Sequence, residues 1–268
     1  MRKTMTTESN ERPQRPSTEA VCSFLARYGA VLLGCGATCI RLEKNMDRIA
    51  RAYGKRAEIA IMPRHLHVNV CESDGSGCTT AISSPYGGGI SFDINTRLSS
   101  LSWDIADDHM SLSEAARRLD SITEAAGKPS WLVIPAVALA NASFCRLFGG
   151  DVIAMAVVFV ATLAGYYVKT ELLGRGIDLR VTVFVCAFIS AVLGASDQLF
   201  GLGSTPSTAL GTSVLYLVPG IPFLNAFSDT LYRHYICSLS RFADAIVLTA
   251  CLSAGLCAGM ALMGVGMF

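Results

Sequence analysis

The chain has 268 residues, a formal net charge of +1 and 51% hydrophobic residues, with a mean hydropathy of +0.44. That balance is too apolar for one soluble core, and it offers no net basic charge to draw a nucleic acid. The excess apolar sequence is concentrated after Trp131, whereas Lys, Arg, Asp and Glu crowd the first 128 residues.

Residues 1–17 contain basic side chains with no apolar run behind them, so they are not a secretory signal peptide and read as a disordered tail. From 18 to 34, Val21, Phe24, Leu25, Tyr28 and Leu32 recur at helical spacing and predict an amphipathic helix. A second helix over about 37–53 carries Leu42, Met46, Ile49 and Tyr53 on one stripe and ends at Gly54. The period then changes to short β-rich runs over 57–62, 66–71 and 78–83. The SDGSG stretch at 73–77 supplies a hairpin turn between the last two. Tyr86-Gly87-Gly88-Gly89 is a flexible connection to a helix at about 95–106. Ser111 and Glu114 open another in capping-box spacing, which Gly127 and Pro129 close. Ten cysteines behind no export signal are expected to be reduced, several of them packing as small hydrophobes.

After Pro129 long stretches are free of charge, and five spans are expected near 131–148, 152–169, 181–200, 208–226 and 245–266. The fold class so predicted is an α+β cytosolic domain over 18–128, helices packed on a small antiparallel sheet. An all-α polytopic membrane domain of about five spans follows over 129–268. Arg117, Arg118, Lys128, Lys169, Arg175, Arg180, Arg233 and Arg241 fall on one side of these spans and only Arg146 on the other. That bias places the first domain in the cytosol and, for an odd number of spans, Phe268 outside.

Candidate functional residues cluster in the apolar half. Pro219, Gly220 and Pro222 cannot all belong to an unbroken helix, and freed backbone groups inside a bilayer must meet protein, water or ligand. Broken spans of this kind mark transport sites, although a simple proline kink is the plain alternative. Asn225 and Asp229, one turn apart beyond the break, add polar groups. Asn141 and Ser143, with Gly149-Gly150-Asp151 at the next turn, form a second polar group that either stitches helices together or binds solute. Asp151 and Asp197 fall near the outer face, where a carboxylate is hydrated. If either faces the bundle, it becomes a proton or cation site. Small residues over 187–195 and the Gly255-x-x-x-Gly259 spacing fit close helix packing. His65 and His67 alternate near Cys71 and Cys78, but the spacing matches no compact zinc pattern, so no metal is expected. No phosphate loop, nucleotide fingerprint or nucleophile elbow occurs, so no cofactor, ATP-driven pump or enzyme is expected either.

Four stretches together resemble the bacterial threonine/serine exporter family, in its split form with a larger YjjP-type subunit. They are Gly36-x-Thr38-x-x-Arg41-x-Glu43 with Arg48 and Gly54; Pro129-x-Trp131; Ala142-x-Phe144-Cys145-x-Leu147-Phe148-Gly149-Gly150-Asp151; and Val214-Leu215-x-Leu217-Val218-Pro219-Gly220-Ile221-Pro222-x-x-Asn225-x-x-x-Asp229 with Arg241. The resemblance implies a secondary exporter of small polar metabolites, either threonine/serine-type amino acids or dicarboxylates such as succinate. It also implies a hetero-oligomer with a smaller YjjB-type four-span membrane protein, in the bacterial inner membrane. The alternatives are a membrane-anchored small-molecule sensor or scaffold, and a hydrolase-like soluble domain on a membrane anchor.

Overall fold

The computed structural model describes residues 16–85, 89–125, 132–201 and 203–265. Most of the N-terminal tail, Tyr86-Gly87-Gly88, the Gly127 and Pro129 closure and Trp131 lie outside the described residues. In chain order the elements begin with α1 (Thr18–Gly34), α2 (Cys39–Ala52), β1 (Lys55–Ile61), β2 (Leu66–Glu72), β3 (Thr79–Ser83), α3 (Phe92–Asp107) and α4 (Leu112–Ala125). They continue with α5 (Val133–Leu147), α6 (Val152–Gly174), α7 (Leu179–Phe200), α8 (Pro206–Ser213), a 3₁₀ turn (Leu215–Leu217), α9 (Gly220–Leu231) and α10 (Tyr235–Leu262). The chain forms two compact units. One holds the residues up to Gly127 together with Ser228–Cys237; the other holds Lys128–Phe227 and Ser238–Phe268.

In the first unit, the Ser17 side chain accepts from the Ala20 N–H and starts α1, whose Val21, Cys22, Leu25, Tyr28 and Leu32 are fully buried. The three strands are antiparallel in the order β1-β2-β3, with Val68 opposite both Ile59 and Ala81. Strand alternation puts Leu66, Val68 and Val70 into the core and leaves His67 exposed. Each buried aliphatic side chain contributes about 1.5 to 3 kcal/mol of transfer free energy. Helices α2 and α3 are joined by three polar rungs: Arg41 to Asn95 (2.8 Å), Asn45 to Ser99 (3.2 Å) and Arg48 to Ser102 (2.6 Å). The Arg48 guanidinium also stacks 3.6 Å from the centroid of Trp103. Cys71 and Cys78 flank the β2–β3 turn and are joined by a disulfide, which corrects the expectation of reduced thiols there. Cys22, Cys35 and Cys39 are buried.

The fold-class expectation needs correction in both halves. The chain is predominantly helical throughout, and its only sheet among the described residues is three short strands inserted between α2 and α3. In the apolar half, three helices among the described residues, rather than about five, are long and apolar enough to cross a membrane: α6, α7 and α10. A fourth span is reached only if α8 with its 3₁₀ turn is paired with α9 across a 58° bend. The physical reason is that a charge-free run measures the absence of charge and not the continuity of a helix. Helix α5 has 15 residues, about 22 Å of rise against the ~30 Å hydrocarbon layer. The prolines divide the next expected span. Three spans keep the odd count that set Phe268 outside, whereas four would reverse it.

Within the second unit α10 lies close against α7. A Cβ added at Gly255 would stand 2.3 Å from the Phe184 carbonyl oxygen, and one at Gly259 would stand 2.6 Å from the Ala191 Cβ. Only glycine permits that approach.

Candidate functional site

The second unit has a polar interior where α5, α6, α7, α8 and the 3₁₀ turn pack together. Asn141 on α5 is buried, and its Nδ2 donates to Thr162 Oγ1 on α6 (2.7 Å) and to the Thr212 carbonyl on α8 (3.1 Å). One turn further along α6, Gly165 faces a hydrogen bond between Ser190 Oγ on α7 and Tyr216 Oη on the 3₁₀ turn (3.0 Å). A Cβ at Gly165 would meet both hydroxyls inside contact distance. The Lys169 ammonium follows on the same helix face, 5.5 Å from the Tyr166 ring centroid, and the Tyr166 and Tyr216 centroids are 6.1 Å apart. Amide, hydroxyl, phenol and ammonium groups thus succeed one another along a face of α6 that is otherwise apolar.

Tyr216 stands immediately before the break. Val218 is extended (φ −60°, ψ 125°), as the residue before a proline must be, and α9 begins at Gly220. Pro219 is buried, Pro222 and Asn225 are half-buried and Gly220 is exposed. Pro222 sits in the first turn of α9, where its missing N–H costs no helical bond, so Pro219 is the residue that interrupts the chain.

A second cluster lies where α5 turns into α6 and α7 into α8. Asp151 caps α6: its Oδ1 accepts from the Ala154 N–H (2.7 Å) and its Oδ2 from the Ser204 hydroxyl (2.8 Å) and N–H. These donors, the Ala154 and Ser204 N–H groups first, hold its carboxyl down to about 2. Asp197, near the C-terminal end of α7, is fully buried, which corrects the reading of a hydrated carboxylate. Gly201 closes α7 in the left-handed conformation (φ 60°) and turns the chain back, so the Gly203 N–H donates to Asp197 Oδ1 (2.7 Å).

Asp229 belongs to the other unit. It is fully buried there, accepting the Cys39 N–H on Oδ1 (2.9 Å) and the Cys39 thiol on Oδ2 (3.4 Å). Thr38, the N-cap of α2, makes no side-chain capping bond, so Asp229 caps that helix from 190 residues away. His65 lies in the turn before β2 and His67 on its exposed face. Among the described residues no group of three or more His, Cys, Asp or Glu is placed to hold a metal ion.

The family model described as "Putative threonine/serine exporter" matches residues 23–263. The chain belongs to the threonine/serine exporter family. Two relatives extend that likeness over nearly the whole length. A protein of Escherichia coli strain K12 described as "Probable succinate transporter subunit YjjP" is 27% identical over 252 residues, covering 94% of this chain and 98% of that one. One of Klebsiella aerogenes with the same description is 27% identical over 258 residues, covering 96% and 98%. No solved structure matches. As a member of the exporter family with several apolar helices, the chain is a multi-pass membrane protein of transport.

Of the residues singled out in the sequence, the structure places Asn141 in the polar interior beside the turn that leads to Pro219. Asp151 stands with Asp197 at another cluster, and Asp229 is at the head of α2. The sequence reading passed over Thr162, Tyr216 and Lys169 as interior groups. Their signal was available: Thr162, Gly165 and Lys169 recur at i, i+3 and i+7 on an otherwise apolar helix.

Proposed function

We propose that this chain is the larger subunit of a secondary exporter that carries small polar metabolites out across the bacterial inner membrane, acting with a smaller YjjB-type four-span membrane protein. The substrates proposed are dicarboxylates such as succinate or amino acids of the threonine/serine type. Family membership and the names of the two relatives support transport of this kind. The observation that carries the proposal is the 58° break at Val218-Pro219, set next to the Tyr216–Ser190 and Asn141–Thr162 hydrogen bonds. A discontinuous helix beside convergent polar groups is how carriers hold a polar solute within a bilayer.

In this reading Asn141, Pro219, Gly220, Pro222 and Asn225 line the substrate pathway. Asp151 stands at its α5–α6 end, and the Lys169 ammonium offers an anionic substrate its counter-charge. Asp229 is assigned to anchoring α2. No nucleophile–base pair is invoked, and the chain acts as a carrier and not as an enzyme. The domain over 18–128 is proposed to face the cytosol and residues 129–268 to form the membrane domain.

Efflux of succinate, threonine and serine from cells expressing the chain and its partner, singly and together, tests this. Export should require both proteins, and equal efflux from cells lacking either would overturn the proposal. The orientation is tested with an introduced thiol, Ser121→Cys on the exposed face of α4, because the natural cysteines of that unit are buried or bridged. It should resist an impermeant thiol reagent in sealed cells and react once they are opened.

A further inference from the structure

We infer that Asp197 and Asp151, meeting at Gly203, form a binding site for one monovalent cation, a proton or an alkali-metal ion, whose movement drives export. The inference rests on the reading of this chain as a secondary exporter. It adds the site of the coupling ion.

The point where a Cβ on Gly203 would stand is 2.9 and 3.1 Å from the two carboxylate oxygens of Asp151 and 3.0 Å from Asp197 Oδ1. Two carboxylates converging this closely repel unless something positive is shared between them. Their surroundings are unequal. Asp151 is satisfied by the Ala154 N–H and by both donors of Ser204, and it sits at the positive end of α6. Asp197 is fully buried and receives one N–H on Oδ1, while its Oδ2 meets no hydrogen-bond donor among the described residues. A buried carboxylate oxygen without a donor is a costly arrangement in a protein that has nothing to put there.

Among the described residues no basic side chain pairs with either carboxylate. Arg146, in the last turn of α5, donates to the Gly150 carbonyl (3.1 Å). Helix α8 carries no titratable residue, and the side chains that reach this end of α7 include the apolar Met260 of α10 and Met263 just beyond it. On α6 the next charged group after Asp151 is Lys169, about 27 Å further along the helix. On α7 itself, Arg180 lies at the opposite terminus, paired with Asp244. Among the described residues no third acidic, His or Cys side chain joins the two carboxylates, and the ligand proposed here is a single small monovalent cation. Gly203 is part-exposed, so the ion has a way in at that residue. The absence of a side chain on Gly203 leaves it room.

The test uses the full chain with its partner in proteoliposomes, under an imposed pH gradient in one arm and a Na+ gradient in the other. Gradient-driven succinate movement and succinate–succinate exchange are both recorded. Asp197→Asn removes the buried charge, whereas Gly203→Ala fills the point between the carboxylates and keeps both of them. Each should reduce gradient-driven movement about tenfold more than it reduces exchange, in the arm whose ion is the true ligand. A second readout needs no transport. The purified full chain, stepped in pH or given radioactive sodium, should show a carboxyl infrared change or about one bound sodium, and both variants should lose it. If that signal is present and lost in the variants while wild-type protein moves no succinate, the cation site stands and the exporter reading falls. Variants that keep the wild-type gradient response, or the wild-type infrared and sodium signals, would overturn the inference.

Discussion

Asp229 provides the sharpest division between anchoring and transport. Asp229→Ala removes the acceptor used by the Cys39 N–H and thiol, and Thr38 has no side-chain bond to take its place. Loss of this helix cap costs about 1 to 2 kcal/mol. That corresponds to a fall in melting temperature of about 3 to 6 °C for a unit of this size. Asp229→Asn keeps an amide oxygen for the Cys39 N–H and loses the charge at the head of α2, about 0.3 to 1 kcal/mol, together with the weak acceptor of the Cys39 thiol. The assay pairs heating of the detergent-purified chain, followed by size-exclusion recovery, with export rate per molecule in the membrane. The alanine variant should melt early and the asparagine variant should melt within a few degrees of wild type, with export largely preserved. Unchanged melting of Asp229→Ala refutes the capping argument. Normal melting of Asp229→Asn with export abolished would show that the charge serves the solute path.

The two prolines should behave differently. Pro219→Ala releases Val218 and removes a barrier to helix of about 3 kcal/mol, so export should fall with normal protein level. Pro222→Ala, in the first turn of α9, keeps the break and trims only one group from the proposed pathway, so export should fall less than with Pro219→Ala, and equal effects from both would contradict the assigned break. Gly255→Val forces α10 away from the Phe184 carbonyl and should destabilise the purified chain by about 1 to 3 kcal/mol. Gly211→Ala, whose new methyl meets nothing within 4 Å, is the matched control and should melt like wild type. Asp151 has a depressed folded-state value of about 2, so its capping contribution is complete above the ordinary carboxylate range and is lost only as pH falls through about 2. Protease sensitivity of the α5–α6 turn should therefore stay flat from pH 7 down to about pH 4, and opening above that point would refute the assignment.

What the sequence could reveal follows from the range over which each signal acts. The stripe of Val21, Phe24, Leu25, Tyr28 and Leu32 is a local pattern, and those residues form the buried face of α1. The Gly255-x-x-x-Gly259 spacing is local too, and both glycines lie against α7. The extent of a helix is not written in the same way. Residues 131–145 lack charge, yet the described helix is short, and residues 198–228 lack charge yet contain a turn, two helices and a break. Nor does local pattern report distant partners. Asp229 reads as one more polar group beyond the break, while its ligand is a backbone N–H that stands 190 residues earlier. The burial of Asp197 depends on one left-handed glycine that folds the next turn back over it, and a terminal aspartate gives no local sign of that.

The contact between α7 and α10 limits how such a molecule can work. Where Gly255 and Gly259 meet the backbone of Phe184 and Phe188, main chain rests on main chain. A side chain can change rotamer to let a neighbour slide, but a carbonyl fixed in a helix has no alternative position. These two helices therefore behave as a single welded beam, able to tilt but not to shear. A transport cycle built on this frame has to find its compliance elsewhere. The extended peptide at Val218, which belongs to no helix on either side, is the joint at which one arm can swing while the beam stays whole.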